Sequence, residues 1–338
     1  MTEFIIDGAT TASSPDGCAS EAVVFEKMGL DAAWTFEASH DPFLPLALAA
    51  HQTDDIQLGT AIAVAFARNP MTCAVTAWDL QRLSNGRFIL GLGTQIKPHI
   101  TKRYSESWSQ PAARMKEYIA ALHAIWDNFQ SGEKLDFRGE FYTHTLMTPF
   151  FTPTDCDYGA PKVFLAAVGP KMTEVAGEVA DGMIAHAFTT ESYLRNTTIP
   201  ALERGFAKAG KSRADFEISY PVFVVTGQTE EELATAKVAT AKQIAFYGST
   251  PAYKPVLDSI GAGELQGDLN KMSKQGRWDE MGTLIGEDMI KEFAVIGEPH
   301  QIPAQIKSRY GDIIDRTSAA YAHLPKSDRM KLIAELSA

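Results

Sequence analysis

The sequence is short of cysteine, of basic residues and of long apolar runs, and each shortage excludes a class of protein. Its 338 residues contain three widely separated cysteines, which fit neither a disulfide framework nor a zinc pattern. Lysine and arginine number 31 against 42 acidic residues, and the net charge of −11 disfavours nucleic acid or an anionic membrane as the main partner. No apolar run approaches the roughly 18 residues of a membrane-spanning helix. We therefore expect a globular, cytoplasmic protein whose main partner is neither nucleic acid nor a membrane.

Short motifs of several enzyme classes are also missing. There is no HExxH zinc motif, no Walker loop and no Gly-x-Ser-x-Gly elbow, which argues against metalloproteases, nucleoside triphosphatases and serine hydrolases. The first residues show no basic region followed by an apolar stretch, so we expect no secretory signal. We expect no metal, and we assign none of Cys18, Cys73 and Cys156 to catalysis.

What the sequence does contain is a regular alternation of short apolar runs and amphipathic helical segments. An apolar content of 45% is enough for a buried core. The predicted strands cover residues 4–6, 32–36, 56–64, 88–92, 163–167, 182–186, 217–226 and 293–296. This alternation predicts a parallel sheet with helical crossovers, and eight units favour a closed (β/α)₈ TIM barrel over an open doubly wound sheet.

The chain is longer than such a barrel needs, because a (β/α)₈ domain takes about 250 residues. We place the surplus in two insertions, at about residues 95–160 and 248–290. They follow the fourth and seventh predicted strands, where a barrel carries its functional loops. Since no linker separates the units, we predict a single domain over residues 1–338.

A pair of glycines ends the fourth predicted strand, in the segment FILGLGT (residues 88–94). A dinucleotide-binding fingerprint needs a third glycine, but Ile96 holds that position, and Pro98 would disturb a helix beginning there. The glycines alone leave two interpretations open, a ligand site or the relief of crowding in a barrel strand.

Longer segments carry a resemblance to a known family. The segment DLQRLSNGRFILGLGT (residues 79–94) resembles the helix, turn and fourth strand of the bacterial luciferase-like family. VFLAAVGP (residues 163–170) resembles that family's cofactor-phosphate loop, and VIGEP (residues 295–299) resembles its eighth strand and turn. The similarity follows nearly the whole chain, and the pattern is most similar to the deazaflavin-dependent oxidoreductases. It implies a (β/α)₈ barrel that uses coenzyme F420, or alternatively reduced FMN.

The resemblance implies that the coenzyme lies across the mouth formed by the carboxyl ends of the strands. Its ring would rest on a bulge at Ala61 and Ile62, where several family members have a non-proline cis peptide; an ordinary strand end is the alternative. Gly93 and Thr94 would line the cavity, because a missing Cβ lets a ligand approach the backbone. The residues implied to bind the phosphate are Ala167, Val168, Gly169, Pro170 and Lys171. A helix start there offers free N–H groups and a positive end, although a plain loop with a solvated lysine is the alternative.

Two side chains after the second predicted strand are candidates for catalysis. Histidine can accept or release a proton near neutral pH as a hydride leaves or arrives. In the resembling deazaflavin enzymes a histidine at this place is the substrate's base or holds the cofactor, which implies such a role for His40. Glu37 would assist it or only orient a neighbour. The alternative for His40 is to cap the next helix or to bind a backbone carbonyl.

The first insertion begins with a basic cluster and lacks one acid of the family. Lys97, His99, Lys102 and Arg103 would meet the acidic tail of the deazaflavin coenzyme, or they belong to a solvated loop. Sugar-phosphate-oxidising relatives have a glutamate where this sequence has Gln95 and Ile96, so their substrate and acid–base pair are not carried over. Apolar residues at 141–151 would line a pocket for an apolar substrate.

Together these features imply an F420-dependent oxidoreductase that transfers a hydride between the coenzyme and a small, apolar organic substrate. One alternative is an FMN-dependent monooxygenase that receives reduced FMN from a separate reductase. The other is a non-catalytic flavin-binding protein. A homodimer is usual among the resembling proteins and is implied here.

Overall fold

The computed structural model describes residues 3–153, 156–318 and 324–338. Eight parallel strands pair edge to edge, and because the third also pairs with the fourth, the sheet closes into a barrel. In barrel order they are Ile5–Ala9, Ala32–Thr35, Gln57–Thr60, Phe88–Gly93, Lys162–Ala167, Gly182–Ala185, Glu217–Ser219 and Arg316–Ser318. The predicted (β/α)₈ fold is confirmed.

The prediction of the eighth strand was wrong. Residues Ala294–Gly297 pair in parallel with Phe223–Thr226 and form a separate two-stranded sheet. The eighth barrel strand is Arg316–Ser318, which lies between the first and seventh strands. The error arose because residues 293–296 are apolar, whereas Arg316–Ser318 is a polar segment whose charge is neutralised inside the barrel.

Helices cover the outside of the barrel and fill the insertions. They are Pro15–Lys27, Leu44–Ala50, Pro70–Leu83, Pro111–Ser131, Pro170–Val179, Glu191–Tyr193, Ile199–Ala209, Glu230–Gly248, Lys254–Asp258, Leu265–Lys274, Trp278–Met281, Glu287–Phe293, Ile302–Tyr310 and Lys326–Ser337. Local chemistry fixes several of their starts. Proline lies in the first turn, and side-chain oxygens of Ser14 and Asn69 accept the N–H groups of Gly17 and Met71. Within the described ranges, no helix is both long and apolar enough to cross a membrane.

The extra chain follows the fourth and seventh strands, as predicted. After the fourth strand come a π-helical turn, His99–Arg103, and a short hairpin made by Phe137–Arg138 and Thr143–His144. After the seventh strand, the helices between residues 230 and 293 form what we call the helical insertion. Its buried side chains, such as Ile244 and Leu269, belong to a second apolar core that is separate from the barrel core.

The interior of the barrel is filled below its mouth. Arg316 is fully buried and donates to the carboxylates of Asp7 (2.8 Å) and Glu217 (2.9 Å) and to the amide oxygen of Gln57 (2.9 Å). An apolar layer made by Ala32, Trp34, Ile89 and Phe164 also lies inside the barrel. The packed interior leaves the carboxyl ends of the strands as the place for a ligand.

Candidate active site at the barrel mouth

The third barrel strand ends at Thr60 and is continued by the short strand Ala63–Val64, which also pairs with the fourth strand. Between the two lies the peptide bond of Ala61 and Ile62, which is cis, as the resemblance implies. The Ala61 N–H donates to the carbonyl of Thr35 (2.6 Å), and the Ile62 carbonyl accepts the N–H of Glu37 (3.1 Å). Both residues are half-buried. The break therefore presents an apolar bulge that is hydrogen-bonded to the loop after the second strand.

The two glycines of the fourth strand make room for this bulge. A Cβ atom on Gly91 would lie 1.7 Å from the carbonyl oxygen of Thr60, and one on Gly93 would lie 2.9 Å from Cγ1 of Ile62. The Thr60 hydroxyl also donates to the Gly91 carbonyl (2.7 Å). The space at Gly93 is thus used by Ile62, and a contact of Gly93 with a coenzyme stays a prediction. The Thr94 hydroxyl donates to the Gln95 carbonyl (2.9 Å).

Glu37 is the centre of a hydrogen-bond network that holds the mouth loops together. Its carboxylate accepts the N–H of Val64 (2.7 Å), the hydroxyl of Tyr104 (2.9 Å) and the guanidinium of Arg68. Burial and the neighbouring Glu37 raise the pKa of Tyr104, so that its hydroxyl remains a donor. These contacts favour the orienting role for Glu37. A carboxylate that is held in an ion pair with Arg68 is poorly suited to accept and release a proton. Sequence reasoning missed Arg68 and Tyr104, which follow no strand directly.

His40 lies in the same loop and keeps one ring nitrogen free. Its Nε2 atom is buried and has no hydrogen-bond partner among the described residues. The capping task proposed as its alternative role is carried out by Asp41, whose carboxylate accepts the N–H groups of Phe43 (2.9 Å) and Leu44 (3.2 Å). A buried nitrogen without a partner is costly unless a ligand satisfies it. The catalytic assignment of His40 stays a prediction, and this geometry supports it.

The loop after the fifth strand has the features of an anion site. Ala167 ends that strand, and the helix Pro170–Val179 begins directly after Gly169, to which no described side chain gives a cap. A Cβ atom on Gly169 would have nothing within 4 Å, so the space beside this residue is open. The first N–H groups of a helix lack acceptors of their own and suit a phosphate. The exposed Lys171 adds a positive charge.

Two hydroxyl groups fix the shape of this loop. The Thr173 hydroxyl is buried and donates to the Gly169 carbonyl (3.1 Å), so it is not available to a phosphate. The Tyr193 hydroxyl donates to the carbonyl of Val168 (3.2 Å). Phosphate binding by residues 167–171 stays a prediction that this geometry allows.

The basic cluster lies on the π-helical turn His99–Arg103 and just before it. All four side chains are exposed, and Arg103 donates to the carbonyl of Ala38 (2.7 Å) in the loop that carries His40. The cluster therefore borders the mouth.

The apolar pocket expected at residues 141–151 stays a prediction, because Tyr142 and Met147 pack against the barrel core whereas the segment's last two phenylalanines are exposed. Phe150 and Phe151 are 89% and 70% exposed and pack against each other on the surface. Aromatic side chains gather instead around His186, at the end of the sixth strand, where Tyr247 and Tyr253 contact its ring. Sequence reasoning missed His186, although its place at a strand end was a usable signal.

Two shallow clefts of about 650 and 750 Å³ lie on the outside of the molecule, both against the helix Ile302–Tyr310. Lys291 and Arg309 flank one of them, and Arg195 and Asp312 flank the other. The mouth is the better candidate because it combines an orphaned histidine nitrogen, an open helix start and an apolar bulge. Among the residues described, no group of three His, Cys, Asp or Glu side chains could hold a metal.

Comparison with known proteins identifies the family to which the chain is similar. Residues 3–316 match the family model of the luciferase-like monooxygenases. An uncharacterized protein of Mycobacterium tuberculosis is 54% identical over 298 residues, which are 88% of each chain. An F420-dependent glucose-6-phosphate dehydrogenase of Nocardia farcinica is 29% identical over 307 residues, which cover 85% of this chain and 82% of the relative.

Among solved structures, the coenzyme F420-dependent tetrahydromethanopterin reductase of Methanopyrus kandleri has a similar fold. It superposes with a TM-score of 0.78 and 21% identity, over 99% of this chain and 97% of the reductase. At that identity the likeness concerns the fold.

Proposed function

Because the chain belongs to the luciferase-like monooxygenase family, we propose that it is an enzyme that uses coenzyme F420 to transfer a hydride to or from a small organic molecule. The Nocardia relative, an F420-dependent dehydrogenase, supports the choice of coenzyme. The observation that carries the proposal is the buried Nε2 atom of His40, which has no partner among the described residues. A ligand bound at the mouth would supply that partner.

The chemical types of the residues at the mouth match the separate parts of this coenzyme. Ala61 and Ile62 would support the flat ring, and the start of the helix Pro170–Val179, with Lys171, would hold the phosphate. When bound, the deazaflavin supplies a ring carbon that accepts or releases hydride. Lys97 and Lys102 would meet the acidic tail of the coenzyme.

In the reaction the protein itself would transfer one proton and hold the loops of the mouth in position. When a substrate hydroxyl is oxidised, its carbon loses a hydride and its oxygen loses a proton, which His40 Nε2 would accept. In the reverse direction the protonated His40 would return that proton to the carbonyl oxygen. Glu37 would act indirectly by holding Arg68, Tyr104 and the N–H of Val64 in place.

The test is a parallel titration of the purified protein with oxidised F420 and with FMN, followed by cofactor fluorescence. We expect F420 to bind in the low-micromolar range or tighter and FMN to bind at least about tenfold more weakly, a difference of about 1.4 kcal/mol. The variants H40Q and E37Q separate the two roles. H40Q should lose turnover with little change in stability, whereas E37Q should lower the urea midpoint because it breaks a buried ion pair.

The other outcomes would favour the alternatives. Tighter binding of FMN, together with oxygen uptake when reduced FMN is added, would favour a two-component monooxygenase. Binding of F420 with unchanged turnover in H40Q would contradict the catalytic role of His40. Binding of neither compound would overturn the coenzyme site.

A further inference from the structure

His186 lies at the mouth of the barrel, one inward-facing position beyond the residues that fill the interior. Side chains of a strand alternate between its two faces. On the sixth strand Gly182 faces inward, since a Cβ there would lie 2.6 Å from the Phe164 ring, and Ile184 packs against the inner apolar layer together with Ala61. The same alternation places His186 on the inward face, directly after the strand ends at Ala185. It therefore shares the mouth with the bulge at Ala61.

The local contacts make His186 a neutral hydrogen-bond donor. Its Nδ1 atom accepts the N–H of Phe188 (3.0 Å), so in the neutral ring the proton resides on Nε2. Burial lowers the pKa of His186 to about 4, and the ring is therefore uncharged at neutral pH. No described residue accepts a hydrogen bond from the Nε2–H group, and this nitrogen is not among the fully enclosed ones, so a ligand can reach it.

Aromatic side chains form walls around this donor. Tyr247 meets the imidazole edge-on, and Tyr253 lies tilted against it, each with ring centroids 4.7 Å away. Burial raises the pKa of Tyr253 to about 12, so this wall is also uncharged. Phe188 stacks on Tyr253 (5.8 Å) and on Phe293 (4.7 Å) and fixes the arrangement from behind. Tyr247 and Tyr253 come from the helical insertion and Phe188 from the barrel, so both parts build the site.

We propose that His186 binds the oxygen atom of the substrate through Nε2–H, and that Tyr247 and Tyr253 hold a flat, uncharged body such as that of an aromatic ketone or the corresponding alcohol. The proposal rests on the proposed oxidoreductase function and names its substrate class. A neutral imidazole between two tyrosine rings offers no countercharge for a phosphate or carboxylate, which disfavours sugar phosphates as substrates. A single donor directed at one oxygen selects a carbonyl or hydroxyl compound over a hydrocarbon.

The experiment compares two probes of nearly equal shape, acetophenone and ethylbenzene, on protein saturated with F420 and on protein alone. One neutral hydrogen bond should make acetophenone bind roughly 2- to 10-fold more tightly than ethylbenzene. Acetophenone should also shift the imidazole ¹⁵N resonance of His186, which is assigned by its loss in H186Q. The H186F variant keeps an aromatic ring but has no N–H donor, so it should bind both probes equally. H186Q keeps a donor and should retain part of the preference.

The controls separate this proposal from the function on which it rests. His51 is exposed at the end of the helix Leu44–Ala50, on the opposite face of the barrel, and H51Q should behave like the unaltered protein. F420 affinity should be the same in H186F and the unaltered protein. If F420 binds but H186F keeps the full preference for acetophenone, the role of His186 is overturned. On protein saturated with F420, whose phosphate occupies the proposed anion site, tighter binding of phenyl phosphate than of acetophenone would overturn the uncharged substrate class. If F420 fails to bind, the proposed coenzyme is wrong, while the probe preference of the protein alone still decides the role of His186.

Discussion

His186 is a residue whose environment has a measurable effect on stability. Its pKa falls from the ordinary 6.5 to about 4 because the ring is buried among Tyr247, Tyr253 and Phe188. Between these two pH values the unfolded chain binds a proton that the folded protein does not. Stability is therefore complete above pH 6.5 and is lost progressively as the pH falls toward 4.

We predict that H186Q removes this loss. From pH 7.5 to pH 5, the free energy of unfolding of the unaltered protein should fall by about 2 kcal/mol more than that of H186Q. Urea denaturation at the two pH values measures the difference, and H51Q should keep the dependence of the unaltered protein. Equal pH dependence in H186Q and the unaltered protein would mean that His186 is not buried in this way.

At the residue scale, the sequence predicts which side chains can take part in the reaction better than it predicts which residues contact them. His40 could be singled out because it follows a strand end and belongs to a residue type that carries protons near neutral pH. The contacts of Glu37 could not be foreseen, since Arg68 and Tyr104 reach it from segments 31 and 67 residues away. The environment of His186 depends on Tyr247 and Tyr253, which come from an insertion whose packing no local pattern specifies.

The fourth strand shows how an element can be shaped for its neighbour. Its inward-facing residues Gly91 and Gly93 have no side chains, and this lets the third strand and its bulge pack against it. The sequence revealed the glycines but not their use, because the closeness of Thr60 and Ile62 follows from strand pairing across about 30 residues.

We predict a graded response to alanine at these glycines. G91A would place a methyl group 1.7 Å from the Thr60 carbonyl oxygen, a backbone atom that cannot move aside, and should lower stability by about 3 kcal/mol or more. G93A meets only the flexible Ile62 side chain and should cost about 1 to 2 kcal/mol while weakening F420 binding. Thermal denaturation and F420 titration measure the two effects.

A matched control is G267A, in the helix Leu265–Lys274, where an added Cβ has nothing within 4 Å. It should leave the melting temperature unchanged or raise it slightly, because alanine favours helix. A G91A protein as stable as G267A would contradict the close pairing of the third and fourth strands.

Element assignment from hydropathy failed at one place for a physical reason. The segment 294–297 is apolar and forms a strand, but it pairs with Phe223–Thr226 outside the barrel. Arg316–Ser318 forms the barrel strand although it begins with arginine, because that side chain binds Asp7, Glu217 and Gln57 inside the barrel. A pattern of single residues cannot register an interaction between strands some 300 residues apart.

In the whole molecule, Arg316 joins four strands of the barrel at one point. Its guanidinium binds Asp7 on the first strand, Gln57 on the third and Glu217 on the seventh, while Arg316 itself begins the eighth. The two carboxylates also raise the pKa of Arg316, although burial alone would lower it, so the group stays charged. The side chain thus ties the chain's first strand to its last barrel strand.

We predict that R316M destabilises the protein strongly. Methionine fills much of the volume but leaves the buried carboxylate of Asp7 without its partner, a loss of about 3 to 5 kcal/mol. The midpoint of urea denaturation measures it. The control R277M removes an exposed ion pair with Glu280 and should have no measurable effect. Equal midpoints for the two variants would mean that the buried network contributes no more than a surface pair.

The small sheet of Phe223–Thr226 and Ala294–Gly297 has an evolutionary consequence. It holds the two ends of the helical insertion side by side, outside the barrel, and the insertion supplies most of the second apolar core, to which the barrel part adds Phe188 and Tyr193. We therefore expect that another insertion could replace this one without altering the register of the eight barrel strands, provided that it packs against Phe188 and Tyr193. Recombination at this sheet would replace the aromatic residues that surround His186. The bulge at Ala61 and Ile62 and the start of the helix Pro170–Val179 would stay unchanged.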